Sequence, residues 1–237
     1  MASSRICIKS TGLTTLAEAN SMEFVRQNTS IPVPKVFHAF ERKGRVYIVM
    51  ERIRATMVGR EWYKRSEESK QKILRQLKAM IEELRRLAAP DGVGVANIDG
   101  GPIYDVRLPH QSLWGPFDSI CKFHQALVDG QDIAAVVDED YADLKELACF
   151  YRQSWPQPVF THGDLSSLNV LARSDDVIGI IDWETAGWLP PYWEYVTAWN
   201  VNPQNEFWQE EVDKFLTPWP LARKMDSVRQ RYFGLFP

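Results

Sequence analysis

His162-Gly163-Asp164 is followed, five positions after its aspartate, by Asn169, and an apolar run then leads through Ile180-Ile181 to Asp182-Trp183-Glu184. A carboxylate, a carboxamide at a fixed interval and a second carboxylate after a strand-like run are the oxygen donors that phosphoryl transfer uses. Moving a phosphoryl group from ATP to a hydroxyl needs a carboxylate at the acceptor and oxygen ligands for Mg²⁺ on the phosphates, because catalysis there is mostly positioning and charge neutralisation. Asp164 suits the first task. Asn169 and Asp182 suit the second, since Mg²⁺ is commonly held by one or two carboxylates together with substrate phosphates. Taken singly, each could be a turn former or a helix cap. Together and in this order they point to chemistry.

The same stretch names the element that must position them. Residues 169–172 are apolar, Arg173-Ser174-Asp175-Asp176 reads as a turn, and residues 177–181 are β-rich. A hairpin of this kind brings Asn169 and Asp182 together at one end.

The two blocks, His162 to Asn169 and Ile181 to Glu184, resemble the signature of the aminoglycoside phosphotransferase-like group of the protein-kinase-like fold, related to choline and homoserine kinases. The resemblance implies a two-lobed α+β fold, with a small N-terminal antiparallel-sheet lobe over residues 1–53 and a larger, mainly helical lobe over 54–237. It implies ATP and Mg²⁺ as cofactors, Asp164 as the catalytic carboxylate, Asn169 and Asp182 as metal ligands, and His162 as a brace for the loop. Ser166 stands where protein kinases carry Lys, Trp183-Glu184 stands where they carry Phe-Gly, and no Ala-Pro-Glu follows Asp182. The implied acceptor is therefore a hydroxyl of a small molecule, with no protein partner evident.

In the N-terminal third, Ile6-Cys7-Ile8-Lys9 reads as a strand ending in Lys9, and residues 16–25 read as a helix with Glu18 early in it. By themselves these are a surface lysine and an ordinary helix acid. The resemblance makes them the lysine that contacts the ATP phosphates and its helix glutamate. Pro32 and Pro34 enforce an extended segment, and residues 36–40 and 45–50 read as a hairpin. The resemblance then puts the interlobe hinge at Met50-Glu51-Arg52-Ile53, where backbone at Glu51 and Ile53 would meet adenine. Related kinases have a further strand pair whose loop covers the phosphates, yet eight residues precede Lys9. The small lobe thus reads as truncated, and the alternative function is a catalytically inactive binding or scaffold module.

Of the 237 residues, 45% are hydrophobic and 25% charged, which suits a globular protein with a sizeable core. No apolar run approaches the roughly 20 residues of a membrane span and no signal-peptide core follows the start, so a cytoplasmic location without membrane contact is expected. A net charge of -3 argues against nonspecific nucleic-acid binding. Cys7, Cys121 and Cys149 show no paired spacing and read as buried thiols; His38, His110, His124 and His162 form no close metal-ligand pattern. Ile73, Leu74, Leu77, Met80, Ile81, Leu84 and Leu87 form a helical stripe over 67–87, a core helix in preference to a coiled coil, with Arg85-Arg86 on a solvated face. Glycine-rich runs over 92–95 and 99–102 resemble an insertion of fungal-type family members, and helices are expected over 117–128 and 140–151.

All but two of the nine tryptophans lie after residue 150. They could wall a ligand pocket, but core packing is the commoner use. Glu206, Glu210, Glu211 and Asp213 could attract an amine or form a solvated acidic helix face. The resemblance makes Glu194 an acid that braces the catalytic region.

Overall fold

The computed structural model describes residues 5–12, 15–108, 113–136, 141–200 and 203–234. His110, and the first residue of the helix expected over 140–151, lie outside the described residues.

Strands β1 (Ile6–Thr11), β2 (Val36–Arg42) and β3 (Arg45–Glu51) form an antiparallel sheet in the order β1-β3-β2. The β2–β3 hairpin closes through Lys43 and Gly44 at φ of 53° and 68°, the primed turn that matches the twist of its strands. Lys9 stands opposite Ile48, which stands opposite Ala39. Residues directly across share a face, so Lys9 sits on the same face as buried Val46 and Ile48. Helix α1 (Ala17–Asn28) covers this face with Ala19, Met22 and Val25. Lys9 lies within β1 and not at its end, because the pairing with β3 runs on to Thr11 and Val46.

The proline-bearing segment before β2 is extended, and Pro32 accepts a hydrogen bond from the Ile180 N–H at 2.8 Å. Beyond β3 come β4 (Thr56–Met57), the short α2 (Val58–Glu61) and α3 (Glu67–Leu84). Ser66 caps α3 by accepting from the Ser69 N–H, and Glu67 and Glu68 complement its first turn. Ile73, Leu74, Leu77, Ile81 and Leu84 are buried, and α3 packs on α7 (Gln209–Phe215) and β9 (Asp176–Ile180), so the stripe is core. The helix ends at Leu84, three residues earlier than its stripe suggested. Arg85 is not on a solvated face: it turns inward and donates to the Phe160 carbonyl and the Thr161 hydroxyl.

Strand β8 (Val170–Arg173) pairs with β9 as the expected hairpin and also with β4, giving a sheet ordered β4-β8-β9. Two-stranded ladders join β7 (Val159–Thr161) to β10 (Gly187–Leu189), and β5 (Ile103–Tyr104) to β6 (Leu113–Trp114). The remaining helices are α4 (Ile120–Leu127), α5 (Ala142–Arg152), α6 (Trp193–Trp199) and α8 (Pro220–Phe233). Helix α4 starts later than its apolar pattern because Ser119 caps it, accepting from the Lys122 N–H. The fold is thus α+β, a small antiparallel sheet beside a larger helical part.

One hydrophobic core runs from Met22 and Ile48 through Leu77 to Leu165 and Trp183. A second joins α4, α5, α6 and α8 around Phe123, Leu147, Trp193 and Val228. Trp183, Trp188, Trp193 and Trp208 are buried within these cores. Cys7, Cys121 and Cys149 are exposed, contrary to the reading of buried thiols: Cys121 and Cys149 fall on the outward sides of their helices, while Cys7 shares the face of Lys9 and opens into the cleft beside it. Among the described residues no helix is long and apolar enough to cross a membrane.

In the second core His124 is almost wholly buried, its Nε2 2.7 Å from the Tyr192 hydroxyl. Burial pushes its pKa down from 6.5 to about 3, partly opposed by the Tyr151 carbonyl. The unfolded chain then takes up the proton first, so the stability this residue contributes is complete above about pH 6.5 and is lost as pH falls toward 3, by at most about 1.4 kcal/mol per pH unit. Urea unfolding of wild type between pH 7 and 4 should show this slope, and His124→Gln should flatten it.

Candidate functional site

Strand β7 delivers the His162-Gly163-Asp164 loop. The buried His162 ring accepts from the Asp164 N–H at Nδ1 (3.1 Å) and faces the Ile181 carbonyl with Nε2 (3.0 Å), which fits the Nε2-protonated tautomer. Its ring lies 4.5 Å from that of Trp183. Below the loop, the Glu194 carboxylate accepts from the backbone N–H groups of His162 (2.8 Å) and Gly163 (3.0 Å). The Thr185 hydroxyl donates to the His162 carbonyl at 2.9 Å. Gly163 has φ of 83°, and a Cβ there would stand 2.7 Å from the Thr185 carbonyl oxygen. Glycine is the residue that meets both conditions. Fixed on two sides, the loop presents an Asp164 side chain that is 44% exposed.

The β8–β9 hairpin holds Asn169 beside residues 181–182: Val170 pairs with Ile180, and the Ile181 N–H donates to the Asn169 carbonyl at 3.0 Å. The Asn169 amide nitrogen donates to the Asp164 carbonyl (2.8 Å) and to Asp164 Oδ2 (3.0 Å). Its Oδ1 is thereby turned away from Asp164, whose carboxylate is held through one oxygen. Asp182 follows the strand with φ of 66°, a left-handed conformation that aspartate tolerates better than most residues.

Lys9 ties this end of the hairpin to the small sheet. Its ammonium donates to Glu18 (3.0 Å), Asp182 Oδ1 (2.7 Å) and Glu184 Oε2 (2.8 Å). Burial alone would lower its pKa, but the charges of Glu18 and Asp182 and the hydrogen bonds to Asp182 and Glu184 outweigh it and hold the ammonium above its ordinary value. The acids of Glu18, Asp182 and Glu184 lie within 4.8 Å of one another, the set among the described residues with metal-ligand spacing. Three carboxylates around one ammonium leave a negative excess suited to a cation.

A cleft of about 480 Å³ opens from this cluster. Lys9, Glu18 and Asp182 line one part of it, Glu51, Arg52 and Ile53 another, and Met50, Met57 and Leu171 supply apolar wall. The Glu51 N–H donates to the Lys35 carbonyl and the Arg52 N–H to the Arg5 carbonyl, so this segment is fixed by its backbone. Gly179 makes room for Ile53: a Cβ there would lie 2.7 Å from Ile53 Cδ1. The structure therefore gathers Lys9, Glu18, Glu51, Ile53 and Asp182 around one cleft. Asp164 and Asn169 form an adjoining pair, joined to it through the Asn169–Ile181 backbone bond.

Two contributors escaped the sequence reading. Glu184 was read as part of a motif without a role, yet it is a third acid on Lys9. Arg107 grips Asp105 with Nε (2.8 Å) and Nη2 (2.9 Å), donates to the Gly163 carbonyl, and places Nη1 3.9 Å from Asp164 Oδ1. Nothing in its loop-rich stretch signalled that position.

A helix-paired lysine on a small antiparallel sheet, above a helical part that carries a His-Gly-Asp loop and a strand-end acid, defines the protein-kinase-like class of phosphotransferase folds. The chain belongs to the phosphotransferase enzyme family APH, which it matches over residues 8–226. Among solved structures it is similar to an apo thermostable mutant of aminoglycoside phosphotransferase APH(4)-Ia, with 15% identity, a TM-score of 0.65 and coverage of 98% of this chain and 82% of that one. It is also similar to ADP-bound APH(2'')-Ib, with 14% identity, a TM-score of 0.60 and coverage of 95% and 75%. The gentamicin complex of APH(2")-IIa gives 13% identity, a TM-score of 0.59 and coverage of 97% and 76%. At such identities the likeness shows the fold. No curated protein matches the chain.

Glu194→Gln replaces a double acceptor by a group with one acceptor and one donor, leaving the loop N–H groups competing for one oxygen. It should cost about 3 kcal/mol in urea unfolding, since the lost bonds are buried and charge-assisted.

Proposed function

We propose that this protein is an ATP- and Mg²⁺-dependent phosphotransferase that phosphorylates a hydroxyl of a small molecule. What carries this reading is the convergence of Lys9, Glu18 and Asp182 on one cleft, with Asp164 and Asn169 adjoining it, in a member of the APH family. Residues 1–53 would hold most of the nucleotide and residues 54–237 the loop, the metal ligands and the acceptor.

The donor set fits Mg²⁺, a hard cation that takes oxygen ligands. Asn169 has Oδ1 turned from Asp164, and Asp182 offers a carboxylate within the acidic cluster. Asn169 and Asp182 would hold the ion, which when bound would supply positive charge to neutralise the phosphates. Lys9, now shared among three carboxylates, would pair with the phosphates while Glu18 holds it in place. Glu51 and Ile53 would offer backbone groups to the adenine, and Met50, Met57 and Leu171 an apolar surface to its faces.

Asp164 would accept the proton of the attacking hydroxyl. The Asn169 amide restrains Oδ2, so Oδ1 is the oxygen left to face the acceptor. His162, Thr185 and Glu194 would act by holding the loop that carries it. No contact among the described residues favours the inactive-scaffold alternative.

For the acceptor, part of the acidic group is already occupied. Glu211 is bound by the Trp62 indole N–H (3.2 Å) and Lys214 (2.6 Å), and Asp213 by the Tyr195 hydroxyl (2.8 Å). Glu206 and Glu210 instead line a recess of about 550 Å³ with Trp199 and Phe207. The adjacent Trp208 indole N–H donates to the Leu165 carbonyl at 3.0 Å, tying this segment to the loop. An amine-bearing, hydroxylated acceptor suits such acids and aromatics. ATP supply and three free cysteines accord with a cytoplasmic location.

Asp164→Asn should lower turnover by about 10²–10⁴-fold while calorimetric ATP affinity changes little; undiminished turnover removes Asp164 from its role. Asp182→Ala should weaken nucleotide binding in Mg²⁺ but hardly in its absence, and an unchanged Mg²⁺ dependence would refute the metal assignment.

A further inference from the structure

Residues 104–107 border both halves of the site. Tyr104, at the end of β5, is buried, and burial together with the charge of Glu184, an acid of the Lys9 cluster, pushes its phenol up against the opposing Lys9 ammonium. Three residues on, Arg107 reaches the loop that carries Asp164. The buried Asp105 between them fixes this arginine: its carboxylate accepts from the Arg107 backbone N–H (2.9 Å), from Nε (2.8 Å) and from Nη2 (2.9 Å). Nη2 also donates to the Gly163 carbonyl.

Nη1 is the nitrogen left over. It carries two hydrogens and makes one long contact, 3.5 Å to the Thr197 carbonyl, while Asp164 Oδ1 stands 3.9 Å away, beyond hydrogen-bond length. Asp164 Oδ1 is also the oxygen that the Asn169 amide leaves unrestrained. A single oxygen atom can lie at hydrogen-bond distance, roughly 2.7–2.9 Å, from both of two atoms 3.9 Å apart. A hydroxyl at that point would donate to Asp164 Oδ1 and accept from Arg107 Nη1 at once. Ser166, where protein kinases carry Lys, brings no charge here, and Arg107 is the cation that the described residues set beside Asp164.

We propose that Arg107 is a second catalytic residue of the phosphoryl transfer, whose Nη1 binds the acceptor hydroxyl opposite Asp164 Oδ1 and steadies the negative charge that grows on its oxygen. The role rests on the phosphotransferase reading above. In the step, the hydroxyl proton passes to Asp164 Oδ1 and a lone pair of the hydroxyl oxygen forms the new O–P bond. The bond from the γ-phosphorus to the β–γ bridging oxygen breaks, and its electron pair leaves with ADP. An oxygen losing its proton gains negative charge, and a donor already aimed at it needs no reorganisation at that moment. The bidentate grip of Asp105 fixes that aim. A lysine, with a single ammonium centre, cannot keep this grip while also reaching the acceptor.

The test is titration calorimetry of the full chain with Mg·ADP, alone and with fluoroaluminate, a mimic of the transferring phosphoryl group that takes water as its acceptor oxygen. Wild type should bind Mg·ADP more tightly with fluoroaluminate than without it, as transition-state mimics are bound. Arg107→Ala and Arg107→Lys should keep their affinity for Mg·ADP and lose at least about tenfold of that gain. Millimolar guanidinium should restore much of it in Arg107→Ala. A gain undiminished in both variants, no gain in wild type or no rescue by guanidinium would each overturn the role. An equal loss of Mg·ADP affinity would overturn it as well, since it marks a structural effect. Failure of wild type to bind Mg·ADP at all would instead refute the nucleotide site, and with it the reading on which the role rests.

Discussion

The Lys9 ammonium, held among Glu18, Asp182 and Glu184, is the interaction on which the arrangement of the site depends. It joins three separate pieces of chain: a strand of the small sheet, the helix packed on that sheet and the turn after β9. An unpaired ammonium or an unpaired Glu18 at this depth would be costly, since removing one partner of a buried pair exposes the charge of the other to an apolar medium. Each of the three carboxylates is therefore held close to the cleft by the same cation. The cluster carries more negative than positive charge, an arrangement suited to a further cation.

The backbone around that cluster adopts conformations that general stability would not select. Asp182 and Gly163 both have positive φ, and both sit where a side chain or carbonyl has to be aimed. Such conformations persist when surrounding bonds over-determine them. At Gly163 the determinants are Glu194 below, Thr185 beside and Arg107 on the carbonyl. At Asp182 they are Lys9 and the bond from Ile181 to Asn169. The loop and the hairpin are thus positioned as one unit, with the Asn169 amide spanning them to Asp164.

Support for the loop comes from far along the chain. Glu194 belongs to α6 and Arg85 follows α3, yet both reach β7 and the residues after it. Helix α3 is consequently more than a core scaffold: its apolar stripe seats it against β9 and α7, and the residue just past its end anchors the strand that leads into the loop.

Much of this protein was legible in its residues because the relevant interactions are local. The hairpin of β2 and β3, the stripe of α3 and the turn between β8 and β9 follow from periodicity and turn chemistry over short spans. The spacing of His162, Asp164, Asn169 and Asp182 likewise reflects one loop and one hairpin, so the order of the donors could be read directly. Arg107 and Arg85 could not, because their partners lie 56 and 75 residues away in Gly163 and Phe160, and nothing local distinguishes a surface arginine from an anchoring one. The exposure of Cys7, Cys121 and Cys149 was misread for the same reason: Cys121 and Cys149 face out according to how their helices pack, and Cys7 faces the cleft, which exists only once distant segments surround it. By itself the sequence determined the local elements and the order of the chemical groups. Tertiary structure alone decided which charges meet, because a charge at the surface and a charge in a cleft are the same residue until distant segments pack around it.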